Sequence, residues 1–209
     1  MKLIIARHGT VFSTGEVKRQ IGSRSDPSLS SEGRRQSEAL AAALKAEGFV
    51  PDAIYSGPLR RQAETADMLF WAFGGLPVRS VEGLSEIDYG EWEGLTKEEL
   101  LAAKREEFLG WVSRGEWPAS FGGARENFEA RIRAWLSHVA ETHPADASAL
   151  AVSSQGTLFI LYSIADPKGW ARAVRKGGVK ELVMRQGHYS ELEISPDGSA
   201  RIKRWNVAP

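Results

Sequence analysis

The first ten residues constrain the fold more than any other stretch of the chain. Four apolar residues, Leu3 to Ala6, run without interruption and then give way to Arg7, His8 and Gly9. A short continuous apolar run is typical of a strand buried on both faces of a parallel sheet. Residues that follow such a strand lie at its carboxyl end, where open α/β sheets bind ligands. A cation, an imidazole and a glycine at that place favour an anion site that contains a nucleophile.

The remaining pattern alternates strands with helices and ends in an antiparallel edge. The segment 31–47 repeats apolar residues at helical spacing after the N-cap Ser30, and a strand over 52–55 leads into a helix through Arg61. We expect a three-layer αβα sandwich with a mixed, mostly parallel central sheet, in a single domain over 1–209. Further helices are predicted over 96–111, 126–141, 157–164 and after Pro167, and further strands after Pro77 and over 149–152, 179–185, 189–194 and 200–205.

Composition narrows the classes of partner. Lysine plus arginine is 27 and aspartate plus glutamate is 27, so no bulk charge attracts nucleic acid or an anionic membrane. The absence of cysteine excludes disulfides, thiolate catalysis and cysteine-bound metal. The apolar start is too short for a signal peptide, and no stretch approaches the roughly 18 apolar residues of a membrane helix. We therefore expect a soluble cytoplasmic protein, with its oligomeric state, monomer or homodimer, left open.

Polar residues follow three of the predicted strands. Arg7 and His8 follow the first, Arg61 lies in the first turn of the helix after the second, and Ser153 to Gly156 follow the strand over 149–152. Two guanidinium groups beside an imidazole suit a dianionic phosphoryl group, because their fork matches phosphate oxygens and stays charged. The helix amino terminus near Arg61 adds to the same field. The predicted chemistry is phosphoryl transfer to His8.

Ordered motifs extend this prediction through most of the chain up to residue 156, and together they resemble the histidine phosphatase superfamily, with its phosphoglycerate mutase-like fold. The resemblance implies that His8 is the phosphorylated nucleophile, that Arg7 and Arg61 hold the phosphoryl oxygens, and that Glu86 protonates the leaving oxygen and then activates water. It implies no metal and no nucleotide cofactor. The motifs are Arg7-His8-Gly9, Asp26 with Leu29 and Gly33, Ser56 to Arg61 with Glu64-Thr65-Ala66, and Leu84-Ser85-Glu86 with Gly90 to Gly94.

One departure from the family pattern bears on catalysis. The family has a second histidine in a Ser-His-Gly-Gly pattern, and Ser154 occupies its place here, followed by Gln155. Both side chains can donate hydrogen bonds to phosphate, but neither carries a positive charge, and losing one such donor typically costs ~10² to 10³ in rate. His188 is a further candidate to replace that histidine. Smaller departures at Thr10-Val11 and at Ala124 concern the substrate rim.

The protonation states required by this chemistry are mutually consistent. His8 must be neutral to attack phosphorus, and two arginines oppose its protonation. Glu86 must be protonated to act as an acid, and burial beside a phosphate dianion favours that state. Each residue also has a structural alternative: His8 as a strand cap, Arg61 as a surface charge, Glu86 in a solvated acidic loop, and the residues at 153–155 as turn formers.

The sequence thus predicts a phosphatase that hydrolyses a small phosphomonoester through a phosphohistidine intermediate. The alternative is a catalytically weakened phosphate-binding or regulatory protein. A phosphomutase is less favoured, since the chain is short between Gly94 and Gly123, where the superfamily's mutases carry insertions that close the site. Trp92 and Trp117, in glycine-flanked polar stretches, are weaker candidates for the rim of the substrate pocket, with core packing as the alternative. The substrate itself is not predicted.

Overall fold

The computed structural model describes all of residues 1–209. One sheet contains six strands: β1 (Lys2–Arg7), β2 (Ala53–Ser56), β3 (Val78–Ser80), β4 (Ser148–Ser153), β5 (Tyr189–Ile194) and β6 (Ala200–Val207). Seven α-helices surround it: α1 (Ser31–Ala46), α2 (Arg60–Ala72), α3 (Lys97–Ala103), α4 (Arg105–Arg114), α5 (Arg125–Thr142), α6 (Gln155–Ala165) and α7 (Pro167–Arg175). No helix in the chain is long and apolar enough to cross a membrane.

The strand order is β3-β2-β4-β1-β5-β6, and the predicted α/β class with a mixed sheet is confirmed. β1, β2, β3 and β4 pair in parallel, whereas β5 and β6 form the antiparallel edge. β1 therefore lies in the interior of the sheet, between β4 and β5. In the β1–β4 register Arg7 stands opposite Ser153, so both strands end at the same level. The carboxyl ends of β1, β4 and β2 thus meet along one edge.

The two faces of β1 belong to different apolar clusters, which explains its uninterrupted apolar run. Leu3 and Ile5 join a cluster with residues of α5 and α6, and Ile4 and Ala6 join a second cluster with residues of α1 and α2. All four side chains are essentially inaccessible to solvent. Burial of a strand on both faces removes the need for alternation and fixes three layers, with the sheet in the middle.

Two predicted elements differ from the structure. The helix predicted over 96–111 begins as expected, with Thr96 and Glu99 forming a reciprocal capping box, but it breaks at Lys104 into α3 and α4. The strand predicted over 179–185 is wrong, because Val179–Leu182 forms a 3₁₀ helix. Its two apolar ends lie three residues apart, one turn of such a helix, and Val179 is fully buried against the core.

Candidate active site

The sheet edge brings the predicted strand ends together. The His8 amide extends the β1–β4 ladder by donating to the Ser153 carbonyl at 3.1 Å. On the other side of β4, the Gly57 amide donates to the Val152 carbonyl at 3.1 Å, which places the start of α2 beside the same edge. The segment that carries Arg61 therefore lies across β4 from the segment that carries His8.

The His8 side chain is buried, with 4% of its surface exposed. Its Nδ1 lies 2.7 Å from the Gly9 carbonyl oxygen. Because a carbonyl can only accept, the neutral ring carries its proton on Nδ1 and keeps its lone pair on Nε2. Burial, together with the charges of Arg61 and Arg7, holds the pKa of His8 well below its usual value. The ring is thus neutral, has a fixed tautomer and keeps an unprotonated Nε2.

Helices α1 and α2 hold the backbone that follows His8. The Gly9 amide donates to Thr65 Oγ1 at 3.2 Å, and the Thr10 amide donates to Gln36 Oε1 at 2.9 Å. A Cβ atom at Gly9 would lie 2.1 Å from the Gly33 carbonyl oxygen, so the loop and the start of α1 touch backbone to backbone. This close approach requires glycine at position 9 and holds the backbone next to His8 against the start of α1.

Arg7 donates to protein atoms through one terminal nitrogen and Arg61 through both. In each residue Nε has no partner. Arg7 Nη1 donates to Gln155 Oε1 at 3.1 Å and to the Met184 carbonyl at 2.7 Å. Arg61 is fully buried, which excludes a surface charge, and donates to the carbonyls of Ser25 and Gly22 at 2.7 and 3.0 Å. Desolvation lowers the pKa of both guanidinium groups.

The loop after β1 is tied over Arg61 by the acidic loop near Glu93. The Glu93 carboxylate accepts from the Gly22 amide at 2.9 Å and from Ser25 Oγ at 2.6 Å. Arg24 pairs with Asp88 at 2.8 Å. The carbonyls that Arg61 holds are therefore anchored from the opposite side, and the guanidinium keeps one orientation.

The Glu86 side chain lies against the amino terminus of α6. It is 4% exposed, which excludes the alternative that Glu86 is a solvated residue of an acidic loop. Its Oε1 accepts from the amides of Ile87 and Thr157 at 2.8 and 3.2 Å, and its Oε2 accepts from the Gly156 amide at 3.1 Å. Burial raises the pKa of this carboxyl, while the charge of Arg61 opposes the rise. Burial is the larger effect, so the neutral acid is favoured relative to an exposed glutamate.

The junction of β4 and α6 supplies two uncharged groups. Ser154 is fully buried, and its Oγ accepts from Gln62 Nε2 at 2.8 Å. Gln155 accepts from Arg7 through Oε1 and has a buried Nε2 with no partner. His188 lies on the other side of β1, before β5, where its Nδ1 contacts the Asn206 carbonyl at 3.2 Å. Ser154 and Gln155 are therefore more than turn formers, since their side chains bond groups from α2 and β1, and the Ser153 hydroxyl donates to the Leu84 carbonyl.

Sequence reasoning missed Gln62 and Tyr89. The Gln62 amide also donates to the Leu84 carbonyl at 2.9 Å and accepts from the Leu59 amide at 3.1 Å, so its orientation is fully determined. Tyr89 is buried beside Glu86, and a Cβ atom at Gly156 would lie 2.6 Å from the tyrosine hydroxyl. Both residues stand next to motif positions, Gln62 after Arg61 and Tyr89 within the acidic loop, which is the signal that points to them.

For Trp92 the structure supports the alternative of core packing over a place at the pocket rim. Its side chain is 1% exposed and packs against the rings of Phe108 and Phe121 in the core. Trp117 is partly buried, also packs on Phe121, and donates through its indole nitrogen to the Gly123 carbonyl at 3.0 Å. Trp92 and Trp117 therefore pack on Phe121 beneath α4 and do not line a pocket.

Comparison with known proteins agrees with this geometry. Among curated proteins, the chain is 33% identical over 144 residues to Phosphoserine phosphatase 1 of Hydrogenobacter thermophilus, covering 68% of this chain and 66% of that protein. It is 32% identical over 134 residues to a 2,3-bisphosphoglycerate-dependent phosphoglycerate mutase of Nitrobacter winogradskyi, covering 62% and 63% of the two chains. The alignments thus span about two thirds of these relatives.

Solved structures extend the similarity to the whole chain. A mycobacterial glucosyl-3-phosphoglycerate phosphatase in complex with VO3 has a TM-score of 0.82 at 26% identity, covering 99% of this chain and 98% of that one. The α-ribazole phosphatase of Shigella flexneri shares the fold at 21% identity, with a TM-score of 0.72. The family model described as Histidine phosphatase superfamily (branch 1) matches residues 3–208. The chain belongs to the histidine phosphatase superfamily.

Proposed function

We propose that this protein is a phosphatase that hydrolyses a small phosphomonoester through a phosphohistidine intermediate on His8. The observation that carries the proposal is a set of buried N–H groups without partners around that ring. Six buried side-chain donors in the chain have none, and three of them are Arg7 Nε, Arg61 Nε and Gln155 Nε2. Buried donors are nearly always satisfied, so three without partners, two of which belong to guanidinium groups, favour an anionic ligand there.

In the first step, His8 Nε2 attacks phosphorus with its lone pair and the bond from phosphorus to the ester oxygen breaks. Arg7 and Arg61 offset the charge on the phosphoryl oxygens, and the departing oxygen takes a proton from Glu86. That proton belongs on Oε2, because Oε1 already accepts two amides and Oε2 accepts one. The phosphorylated ring keeps its Nδ1 proton, held by the Gly9 carbonyl.

In the second step, the Glu86 carboxylate takes a proton from water while the water oxygen attacks phosphorus. The bond between phosphorus and Nε2 breaks, its electron pair returns to the ring, and inorganic phosphate leaves. The lowered pKa of His8 and the raised pKa of Glu86 favour the starting state of this cycle, in which both groups are neutral. Opposite shifts of two neighbouring groups are the pattern expected of an acid and a nucleophile.

Ser154 takes the place of the family's second histidine as a neutral donor in this proposal. Its oxygen already accepts from Gln62, whose other amide proton and carbonyl oxygen are engaged elsewhere. The serine hydroxyl therefore keeps its own proton for a phosphoryl oxygen. Gln155 Nε2 provides a second neutral donor from the same turn. Neither group replaces the positive charge of an imidazolium, and slower turnover than in a two-histidine enzyme is expected.

Trapping the covalent intermediate tests the proposal. The protein is mixed with a ³²P-labelled phosphomonoester such as 4-nitrophenyl phosphate and quenched in alkali, where phosphohistidine survives and phosphoserine is lost. We expect an alkali-stable, acid-labile label in the wild type and none in His8→Ala, with release of 4-nitrophenol lost in the same variant. Release that persists in His8→Ala would contradict the mechanism.

The uncharged position 154 favours one alternative, a weakened phosphate-binding or regulatory protein, and the same assay separates the two. Ser154→His restores the family residue. Turnover by the wild type supports the phosphatase, whereas turnover that appears only in Ser154→His supports the alternative. Product analysis distinguishes a mutase, which would return phosphate to the organic substrate instead of releasing it.

A further inference from the structure

A cationic cleft of about 500 Å³ opens beside the reaction centre on the β5 side. Arg7 and Gln36 form its inner wall, and Lys18, Arg185 and His188 contribute its outer cations and imidazole. None of the residues that line it is acidic. The proposed mechanism uses only Arg7 among them, so the other groups call for a separate explanation.

The outer cations have no partners within the protein. Lys18 and Arg185 are exposed, and neither forms an ion pair, whereas Arg19, next to Lys18 in the sequence, pairs with Glu99. Like charges gathered in a concave surface focus the field and raise the local concentration of anions. Because the chain as a whole has equal numbers of basic and acidic residues, 27 of each, this excess is local and is not a property of the whole chain.

The outer wall is also held in place by an unusual backbone feature. Asn206 is the single non-glycine residue of the chain with positive φ, at 58°. In that conformation its Oδ1 accepts from the Arg185 amide at 2.9 Å and its carbonyl contacts His188 Nδ1 at 3.2 Å. The carbonyl contact leaves His188 Nε2 as the free ring nitrogen. Strained residues of this kind cluster at binding sites, where the surrounding contacts maintain them.

The cleft is continuous with the nucleophile segment. Arg7 precedes His8, and the same Gln36 that lines the cleft holds the Thr10 amide at 2.9 Å. The backbone of His188 accepts from the Arg7 amide at 3.0 Å, so the outer wall pairs directly with β1. Arg7 therefore lines the cleft and also belongs to the proposed phosphoryl site, so the two regions are contiguous.

We propose that this cleft is a subsite for a second anionic group on the substrate, so that the preferred substrates are phosphomonoesters whose leaving group carries a carboxylate or a further phosphate. The inference rests on the proposed phosphatase function. Arg7 and Arg61 hold the reacting phosphoryl group, and the cleft holds the other anion through Lys18 and Arg185, with His188 as a further contact. An uncharged leaving group gains nothing from these cations.

Matched substrate pairs test the subsite. 3-Phosphoglycerate and glycerol 3-phosphate differ by a carboxylate in place of a hydroxymethyl group, and fructose 1,6-bisphosphate and fructose 6-phosphate differ by one phosphate. We expect a higher kcat/KM for the anionic member of at least one pair. The ratio of kcat/KM for the anionic ester to kcat/KM for its partner should fall about fivefold in Arg185→Gln and about fivefold in Lys18→Gln. A factor of about five is the upper limit for the loss of an exposed ion pair. Arg175→Gln, an exposed arginine without an ion pair outside the cleft, leaves the ratio unchanged.

Equilibrium binding separates failure of the subsite from failure of the phosphatase proposal. Calorimetry with His8→Ala measures the affinity for the same four esters without turnover. Preferential binding of an anionic member, weakened by Arg185→Gln in the His8→Ala background, supports the subsite even where no phosphate is released. Equal affinity within both pairs, or a preference that survives both cleft substitutions, would overturn it.

Discussion

Two halves of the site meet at the sheet edge, and they differ in charge. The cationic half consists of Arg7, His8 and Arg61, from β1 and α2. The neutral half consists of Ser154 and Gln155, from the turn between β4 and α6, with no ionisable side chain. Each half combines buried residues (His8, Arg61, Ser154) with a partly buried one (Arg7 or Gln155), and both are ordered by hydrogen bonds, but only the first acts on the pKa of His8.

The difference in charge indicates that the cationic half supplies most of the free energy of anion binding. Burying two guanidinium groups beside one carboxyl leaves net positive charge in a region of low dielectric, which a phosphoryl dianion compensates. The neutral half orients a bound anion, because its hydroxyl and amide donate hydrogen bonds along defined lines. These uncharged groups add little electrostatic attraction at a distance. We therefore expect substitutions in the cationic half to cost far more than matched substitutions in the neutral half.

Arg61→Met should have the largest effect among these variants. It removes a buried charge that is proposed to bind the phosphoryl group. Hydrogen bonds to charged groups contribute ~1.5–3 kcal/mol each, so the loss of two such bonds amounts to ~4 kcal/mol and kcat/KM should fall about 10³-fold. Steady-state kinetics with 4-nitrophenyl phosphate measures the loss. Arg60→Met is the matched control, because Arg60 is the adjacent arginine and is exposed. Equal losses in the two variants would show that Arg61 serves the fold alone.

Glu86→Gln should have the next largest effect, and its size should depend on the leaving group. Positioned general acids contribute ~10² to 10⁴ in rate, most when the departing oxygen is basic. We expect kcat/KM to fall about 10³-fold with an alkyl phosphate and about tenfold with 4-nitrophenyl phosphate, whose leaving group needs little help. Glu82→Gln, at an exposed position of the same loop, is the control. A loss that is identical for both substrates would place Glu86 outside proton transfer.

The residues of the cationic half could be predicted from the sequence. The hydrogen bonds that hold the neutral half in place could not. Arg7, His8 and Arg61 follow apolar runs or open a helix, so topology alone predicts that they converge. Ser154 and Gln155 were also placed at that sheet edge because they follow a strand, but their possible roles came from the family pattern. Their bonds to Gln62 and Arg7 join residues 92 and 148 positions apart, which no local periodicity records. The 3₁₀ helix at Val179–Leu182 was missed because short apolar segments fit a strand or a single turn equally well.

Ser154→Ala should have a smaller effect than either charged substitution. One neutral hydrogen bond contributes ~1 kcal/mol, so kcat/KM should fall about fivefold. Ser153→Ala is the matched control, since that neighbouring hydroxyl donates to the Leu84 carbonyl at 2.8 Å and has no proton left for a ligand. A loss as large as that of Arg61→Met would end the distinction between the two halves.

The acid limb of the pH profile of kcat/KM should move to higher pH in a variant of the cationic half and stay in place in a variant of the neutral half. Burial and the two arginines hold the pKa of His8 well below 6.5, so the ring stays neutral at pH 6.5 and the acid limb lies below that value. Removing a positive charge favours the imidazolium, so Arg61→Met raises the pKa of His8 and kcat/KM begins to fall at a higher pH. Ser154→Ala removes no charge and leaves the limb in place. Dividing each variant's profile by that of the wild type on one substrate cancels the titration of the substrate phosphate. A flat ratio for Arg61→Met below pH 6.5 would mean that the arginine charge does not reach the His8 ring.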